Sequence, residues 1–258
     1  MRPNETLEQK SKYCRYELFK FKTSSGSGHL VSSLSCVDIL VSLYYDPLIN
    51  FDKNNDIIIF GKAHGSPAVY PILADLGFFD KSELDKYCQP GGILKLHADK
   101  SIPGCHFVGG SLGNGLGHAA GIAMVNKNIN VYCLLGDAEL YEGSIWESLL
   151  FIAHHKINNL TIVIDRNKYA ILGPTESLLK LEPLDKKFEA FNFDVLTIDG
   201  HNFDELRNAF VDVTNSPKII IAKTIKGKGV SFLENKFEYH TIIPKNPDEI
   251  KLGLEELK

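Results

Sequence analysis

Runs of consecutive apolar residues, rather than an alternation of apolar and polar ones, mark the strands that the sequence predicts. Five runs rich in β-branched side chains occur at residues 57–60, 131–135, 161–164, 195–198 and 219–222. A continuously apolar strand is covered on both faces, as in a parallel sheet flanked by helices. The pattern therefore predicts five strands that are buried on both sides.

Helical spacing of apolar residues fills the segments between these runs. The clearest helices are predicted at residues 35–45, at residues 144–155, and at residues 203–213 with Asn202 as the N-cap. Strands and helices alternate, no Gly/Ser/Pro-rich linker divides the chain, and no period repeats. The sequence thus predicts a single α/β domain over residues 1–258, with a doubly wound, mostly parallel sheet and helices on both faces.

Composition and charge restrict the class of protein. The chain has 258 residues, 44% of them hydrophobic and 23% charged, and its net charge is −4, which gives no general attraction for nucleic acid or anionic membranes. Its five cysteines show no Cys-x-x-Cys spacing, and its first residues are too charged for a secretory signal. No apolar run approaches the roughly 20 residues of a membrane span. We therefore expect a cytoplasmic globular protein with reduced thiols.

Polar residues follow two consecutive strand runs at the same relative position. Gly136 and Asp137 come directly after one run, and Asp165, Arg166 and Asn167 come directly after the next. In a parallel sheet these positions share one edge, about 4.8 Å apart, where the ligands of open α/β sheets bind. One carboxylate and one amide oxygen suit Mg²⁺, which takes further oxygens from substrate phosphates.

A helix is predicted to begin near Gly143, directly after this acidic turn. Its free backbone N–H groups and the positive end of its dipole favour an anion nearby. The residues alone therefore suggest a magnesium-bound diphosphate between the two loops. They equally allow Asp137 and Asn167 to be ordinary turn formers, because Asp and Asn commonly follow strands.

The segment G-D-A-E-L-Y-E-G-S-I-W-E at residues 136–147, followed by N-L-T-I-V-I-D-R-N at residues 159–167, resembles the thiamine-diphosphate motif of the transketolases. Further blocks match that family in its order: S-G-S-G-H-L at 25–30, L-S-C-V-D-I-L-V-S-L-Y at 34–44, G-K-A-H-G-S-P-A-V-Y at 61–70, G-G-S-L-G-N-G-L-G-H at 109–118, D-G-H-N at 199–202 and T-I-K-G-K-G-V-S-F-L-E-N-K-F-E-Y-H at 224–240. The resemblance covers nearly the whole chain. It is closest to the N-terminal subunit of split transketolases, and it implies the diphosphate-binding (PP-type) fold of thiamine-diphosphate enzymes.

The resemblance implies a divalent metal site. Asp137 and Asn167 would bind Mg²⁺, or Ca²⁺ or Mn²⁺ in its place, through their side chains. Tyr169 would bind the ion through its carbonyl oxygen.

The resemblance also implies contacts with thiamine diphosphate. Ala138 would offer its backbone N–H to the diphosphate, Glu142 would join the network beneath the cofactor, and Ile171 would lie against the thiazolium ring. Gly110 and Leu112 match the segment that holds the aminopyrimidine. The full set implied to bind the cofactor is His64, Gly110, Leu112, Gly136, Asp137, Ala138, Glu142, Asn167, Ile171 and His240.

Four histidines match positions that line the channel to the reactive carbon in transketolases. They are His29, His64, His97 and His240, and the resemblance implies that they bind cofactor phosphate or sugar hydroxyls and move protons. Histidine suits this catalytic role because it donates, accepts and changes charge near neutral pH. The K-G-K-G stretch at residues 226–229 lacks the P-loop spacing and is interpreted as a flexible loop that carries His240 toward the site. The other histidines are interpreted as structural: His106, His118, His154, His155 and His201.

The implied reaction is that of a transketolase, a transferase that passes a two-carbon ketol unit from a ketose phosphate to an aldose acceptor. The cofactor carries the carbanion chemistry, while the protein supplies orientation and electrostatics. In this family a glutamate on a second, pyrimidine-binding domain activates the cofactor, and the 258 residues show no segment for that domain. We therefore expect one subunit of an α2β2 heterotetramer, whose partner carries the pyrimidine-binding domain with its catalytic glutamate and the C-terminal domain.

The sequence departs from the family around the bound groups. The usual G-D-G reads G-D-A, and Ala138 excludes the positive φ angles that glycine permits. The histidine motifs read G-H-L-V at residues 28–31, K-A-H-G at 62–65 and L-H-A at 96–98. Intact metal ligands beside an altered channel favour a specialised sugar pathway with an unusual donor or acceptor.

Two other functions share part of these features. A deoxyxylulose-phosphate synthase or the α subunit of a 2-oxo acid dehydrogenase carries the same metal motif, but the four histidines and the block at residues 224–240 favour a transketolase. A non-catalytic subunit that binds a partner is the alternative of a different class. Intact Asp137, Asn167 and His240 argue against it.

Overall fold

In the computed structural model, which describes residues 5–106, 110–214 and 216–258, five parallel strands form one sheet. The strands are β1 (Ile57–Phe60), β2 (Val131–Gly136), β3 (Leu160–Arg166), β4 (Asp194–Asp199) and β5 (Lys218–Lys223). Their spatial order is β1-β2-β3-β5-β4, and every pairing is parallel. All five predicted strands and the predicted parallel sheet are confirmed.

Helices cover both faces of this sheet. The α-helices are α1 (Leu7–Ser25), α2 (Leu30–Leu34), α3 (Val37–Tyr45), α4 (Tyr70–Asp75), α5 (Asn114–Val125), α6 (Gly143–His154), α7 (Thr175–Leu178), α8 (Leu184–Ala190), α9 (Phe203–Val211) and α10 (Pro247–Glu256). Shorter 3₁₀ segments occur at Ala63–Val69, Lys81–Lys86, Asp137–Tyr141 and Phe237–His240.

The three predicted helices are present, with small shifts at their ends. The helix predicted over residues 35–45 begins two residues later, because residues 30–34 form the separate short helix α2. The helix predicted over 203–213 ends at residue 211. Asn202 caps it as predicted, since its side chain accepts hydrogen bonds from the backbone N–H groups of the first turn.

The core consists of two apolar layers, one on each face of the sheet. Ile58 of β1 packs in the layer that contains α1, α3 and α9, whereas its neighbour Ile59 packs in the layer that contains α5, α6 and α8. Ile220 and Ile219 of β5 divide between the two layers in the same way. Successive side chains of a strand point to opposite faces, so a strand that feeds both layers must be apolar throughout.

Strand β4 departs from the prediction that every strand is buried on both faces. Its residues are half-buried or exposed, and Thr197 and Asp199 are exposed. The physical reason is position: β4 is an edge strand that pairs only with β5. The prediction of two covered faces is therefore wrong for residues 195–198, although it is right for β2 and β5 through Ala222.

The carboxyl ends of β2 and β3 lie side by side. Gly136 of β2 stands opposite Asp165 of β3 in the register, so the loops that follow these strands start at the same edge of the sheet. All five cysteines are unpaired, in agreement with the expected reduced thiols. Within residues 5–106, 110–214 and 216–258, the structure contains no helix with the length and apolar character of a membrane span.

Candidate active site

The two loops predicted to carry the metal ligands meet at the carboxyl edge of the sheet. Asp137 begins the 3₁₀ segment after β2, and Asn167 directly follows β3, whose last residue is Arg166. The Asp137 Oδ2 atom accepts a hydrogen bond of 2.6 Å from the backbone N–H of Lys168, the residue after Asn167. The structure therefore brings the predicted carboxylate and amide loops into direct contact.

Each of the two predicted side-chain ligands keeps an acceptor position for a cation. Among the described residues, Asp137 Oδ1 accepts one hydrogen bond, of 2.8 Å from the Ala138 N–H, and Asn167 Oδ1 accepts one, of 3.1 Å from the Tyr169 N–H. A carboxylate or carbonyl oxygen has two lone pairs, so both atoms can accept once more. Such hard oxygen donors fit Mg²⁺.

The expected contacts of Tyr169 and Ala138 are partly engaged within the chain. The Tyr169 carbonyl oxygen lies 3.4 Å from the Lys226 Nζ atom, and the Ala138 N–H donates to Asp137. Ala138 has no positive φ angle, so alanine fits the turn where the family has glycine. In the part of the chain that the structure describes, no group of three or more His, Cys, Asp or Glu side chains converges on a possible metal. A metal here would therefore complete its coordination with oxygens from its ligand or from water.

A buried lysine that the sequence did not single out lies behind this edge. The Lys62 ammonium forms an ion pair with the Asp165 carboxylate and donates to Ser35 Oγ at 2.9 Å. Asp165 also accepts hydrogen bonds from the Ser35 and Thr224 hydroxyls. Burial opposes both charges, but their mutual attraction holds the pKa of Asp165 below its ordinary value and that of Lys62 above it.

A second buried lysine, Lys226, links the metal loop to the histidines. Its Nζ atom lies 3.4 Å from the Tyr169 carbonyl oxygen and 3.1 Å from His240 Nδ1. Burial lowers the pKa of Lys226 to about 8. The loop that carries it is tied to the protein by a backbone hydrogen bond from Gly227 to Val31, which the interpretation as a flexible loop did not foresee.

The four predicted catalytic histidines form one cluster. The ring centroids of His29 and His64 are 4.2 Å apart, those of His64 and His97 are 5.2 Å apart, and those of His29 and His240 are 5.3 Å apart. They come from four separate segments: the turn before α2, the 3₁₀ segment Ala63–Val69, the loop around residue 97, and the 3₁₀ segment Phe237–His240. Their convergence was expected only from the family resemblance.

The glycine before the first of these histidines is required by the packing. Gly28 has a φ of 101°, and a Cβ atom there would lie 2.5 Å from Lys22 Nζ and 2.7 Å from the Tyr87 hydroxyl oxygen. Only glycine adopts this turn without strain or collision. The turn directs His29 toward the other three rings.

Hydrogen bonds define the tautomers of three rings. Nδ1 of His29 donates to the His240 carbonyl oxygen at 3.1 Å, and Nδ1 of His97 donates to the Ala63 carbonyl oxygen at 3.1 Å. Nδ1 of His240 accepts from the Lys226 ammonium, so its proton lies on Nε2. In their neutral forms His29 and His97 therefore present Nε2 as an acceptor, whereas His240 presents Nε2–H as a donor.

Burial keeps the central rings uncharged. It lowers the pKa of His29 and of His64 to about 4 and that of His240 to about 3, and neighbouring cationic groups act in the same direction. Neutral imidazoles at physiological pH can both accept and donate a proton. The cluster is therefore suited to proton exchange with hydroxyl groups of a bound molecule.

The acidic residue beneath the loops is Glu139 rather than the expected Glu142. Glu139 is buried, and its carboxylate accepts hydrogen bonds from the backbone N–H groups of Gly113 at 2.9 Å and Gly136 at 3.2 Å. Burial raises the pKa of Glu139 to about 7. Glu142 is exposed at the N-terminus of α6. The G-D-A-E motif contained the signal for Glu139, but the turn that points its side chain inward is not evident from the sequence.

The remaining predicted cofactor residues lie at the surface beside these loops. Gly110 is exposed with a φ of 138°, Leu112 is half-buried ahead of α5, and Ile171 is exposed after the metal loop. Their contacts with the cofactor stay a prediction. His201 is a structural residue, as interpreted: its Nδ1 contacts the Asp38 carboxylate at 2.6 Å, and its Nε2 accepts from the Ile225 N–H.

Comparison with known proteins gives consistent matches over nearly the whole chain. Residues 20–256 match the family described as "Transketolase, thiamine diphosphate binding domain". One of the two subunits of the apulose-4-phosphate transketolase of Actinobacillus succinogenes is 38% identical, over 98% of this chain and 96% of its own. The 6-deoxy-6-sulfo-D-fructose transketolase subunit SqwG of Clostridium sp. is 37% identical, over 84% of each chain.

Solved structures give the same result for the fold. The crystal structure of transketolase from Campylobacter jejuni matches with a TM-score of 0.87 and 29% sequence identity. The match covers 97% of this chain and 42% of that one. The chain therefore spans nearly the full length of the subunit from Actinobacillus, but less than half of this longer protein.

Proposed function

Because the chain belongs to the transketolase family, whose thiamine-diphosphate-binding domain it matches over residues 20–256, we propose that it is the cofactor-binding subunit of a transketolase. In this proposal the enzyme transfers a two-carbon ketol unit from a ketose phosphate to an aldose acceptor. The observation that carries the proposal is the position of four clustered histidines beside two loops with free oxygen acceptors.

The residues at the sheet edge fit a magnesium ion and a diphosphate. Asp137, Asn167 and the Tyr169 carbonyl would hold the ion, and the N-terminus of α6 would face the diphosphate. The buried ammonium of Lys226 adds a positive charge beside the same loop. When bound, thiamine diphosphate would supply the carbanion chemistry that no amino-acid side chain provides.

The histidines would handle the protons of the sugar hydroxyls. His29 and His97, with Nδ1 held by carbonyl oxygens, would accept hydroxyl protons at Nε2. His240, with Nδ1 held by Lys226, would donate its Nε2–H to a sugar oxygen. Their fixed orientation means that little rearrangement is needed when substrate binds.

A second subunit is part of the proposal. The relatives from Actinobacillus and Clostridium are both named as subunits of a transketolase, and this chain matches 96% and 84% of their lengths. Large apolar side chains around the proposed site are exposed and suit a protein partner: Leu96, Ile171, Leu172, Leu178, Leu179 and Ile242. We place the pyrimidine-binding domain and its glutamate on that partner, in an α2β2 assembly.

The proposed substrate is a specialised sugar phosphate. The names of the two related subunits specify apulose 4-phosphate and 6-deoxy-6-sulfo-D-fructose, which are not the usual pentose phosphates. The L-H-A motif around His97 also departs from the family pattern in the channel. The donor and acceptor therefore need to be sought beyond the pentose phosphates.

Co-expression with the candidate partner subunit tests this function. We expect the complex to bind thiamine diphosphate only with a divalent cation and to release an aldose phosphate from a ketose phosphate. Asp137→Ala should abolish the metal-dependent binding while leaving the circular dichroism spectrum intact, and Asp185→Ala on the surface of α8 is its control. Unchanged binding in Asp137→Ala would refute the metal site, cofactor uptake without turnover on any sugar phosphate would favour a non-catalytic subunit, and pyruvate decarboxylation would indicate another thiamine enzyme.

A further inference from the structure

Arg166 lies between the two loops of the proposed metal site, where the sequence indicated no role for it. Although charged, its side chain is only 2% exposed. Nη1 lies 3.0 Å from Asp137 Oδ2 and 2.7 Å from Thr175 Oγ1. Nη2 lies 2.7 Å from Glu176 Oε1 and 2.9 Å from Glu182 Oε1, and Nε donates to Glu182 as well. The guanidinium group thus connects the end of β2 with the segment around α7.

These contacts determine which oxygen of Asp137 is available. Oδ2 accepts hydrogen bonds from both Arg166 and the Lys168 N–H, and these fill its two acceptor positions. Within the described part of the chain, Oδ1 accepts only the Ala138 N–H. A cation at this edge can therefore reach Asp137 through Oδ1 alone.

The charges around Arg166 are also unequal. One guanidinium group faces three carboxylates, those of Asp137, Glu176 and Glu182, which leaves two negative charges in excess. That excess suits a divalent cation beside Asp137. Glu176 and Glu182 lie on the far side of Arg166 and offset its repulsion of the cation.

We propose that Arg166 is a positioning residue that presents a single oxygen of Asp137 to the metal, and that Glu176 and Glu182 balance its charge. The inference rests on the proposed thiamine-diphosphate and metal site. A purely structural network would change the stability of the chain, because unpaired buried charges are costly, but it would leave metal affinity unchanged.

Arg166→Lys tests the positioning role. Lysine keeps the positive charge but cannot contact Asp137, Glu176 and Glu182 together as the planar fork does. We expect Mn²⁺ affinity in the presence of thiamine diphosphate to fall about 10- to 100-fold, the usual effect of removing a partner behind a metal ligand. Free Mn²⁺ would be measured by electron paramagnetic resonance on the assembled complex with its partner.

The double variant Glu176→Gln/Glu182→Gln tests the charge balance without touching the metal ligands. Both side chains are partly exposed, so the fold should tolerate the change. We expect Mn²⁺ affinity to fall about three- to tenfold at low salt, and the loss to shrink as salt screens the charges. Glu189→Gln, which breaks the exposed Lys186–Glu189 pair of α8, is the matched control and should bind Mn²⁺ as the unmodified chain does.

The outcomes separate this inference from the proposed function. If the unmodified complex takes up no Mn²⁺ with thiamine diphosphate, both are refuted. If it does, and Arg166→Lys or the double variant binds Mn²⁺ as well as the unmodified complex, only the role of Arg166 is overturned. Should Arg166→Lys fail to fold, the double variant and its salt dependence decide alone.

Discussion

Single residues at the site combine opposite demands on charge. Three cluster histidines, His29, His64 and His240, are kept neutral by burial, while Lys226 brings an ammonium group within 3.1 Å of one of them. A proton added to any ring would have to be accommodated close to other basic groups. Neutrality in the folded state is therefore a property of the whole cluster, and it links stability to pH.

Acidification is expected to destabilise the folded chain. The pKa of His29 and of His64 is lowered to about 4 in the folded protein, compared with about 6.5 in an unfolded chain. Below pH 6.5 the unfolded chain therefore binds protons that the folded chain does not. The stability that these groups contribute is complete above pH 6.5 and is lost as the pH falls toward 4.

Urea unfolding of His64→Asn between pH 4 and 7.5 measures this effect. We expect the free energy of unfolding to vary less with pH in the variant than in the unmodified chain, although Glu139, with its raised pKa, acts in the opposite direction in both. Measurements at pH 7.5 give the pH-independent cost of the substitution. Equal pH dependence in the two proteins would show that His64 is not held neutral.

The sequence identified the side chains of this site unevenly. Asp137 and Asn167 could be found from their positions after strands, and the four histidines from the family motifs. Lys62, Lys226 and Glu139 could not, because a charged side chain next to a strand or turn usually faces solvent. Their burial depends on partners that are distant in sequence, such as Asp165 for Lys62.

At the scale of secondary structure, one buried ion pair joins several elements behind the site. Lys62 follows β1, Asp165 belongs to β3, and the two hydroxyl partners Ser35 and Thr224 precede α3 and follow β5. The pair therefore fixes the ends of neighbouring strands relative to one another. Its geometry determines where the Asn167 loop begins.

Asp165→Asn should destabilise the chain strongly. The substitution leaves the Lys62 ammonium buried without a counter-charge, and breaking such a pair typically costs about 3–5 kcal/mol. Glu189→Gln removes an exposed ion pair and should change the free energy of unfolding by no more than about 1 kcal/mol. Urea denaturation of both variants provides the comparison, and equal effects would argue against a buried, charged pair at residue 165.

The elements themselves were more predictable than the site. Apolar runs located every strand, because a strand that feeds two core layers has no polar face. The same pattern could not show that β4 lies at the edge, since residues 195–198 are as apolar as those of central strands. Strand order depends on contacts between segments distant in sequence, which periodicity does not encode.

At the scale of the whole molecule, apolar surface surrounds the proposed cofactor edge. Leu172 is 76% exposed and follows the Tyr169 loop, and Leu179 is exposed after α7. Surface of this kind beside a binding site is typical of a protein interface. It supports a partner that docks over the cofactor rather than one bound at a distance.

Leu172→Glu should weaken assembly with the partner subunit. A charge at an apolar contact must lose its hydration on binding, so we expect a shift from complex to free subunits in analytical ultracentrifugation. Val213→Glu is the control, because Val213 is 92% exposed but lies ahead of β5, at the opposite edge of the sheet. Normal assembly of Leu172→Glu would place the interface elsewhere.

The most direct test of the proposed metal and cofactor site is an anomalous difference map from crystals of the complex grown with Mn²⁺ and thiamine diphosphate. We expect one strong peak about 2.0–2.2 Å from Asp137 Oδ1, Asn167 Oδ1 and the Tyr169 carbonyl oxygen, with the diphosphate on the same ion. A peak away from these three atoms, or cofactor bound with no metal between the two loops, would contradict it.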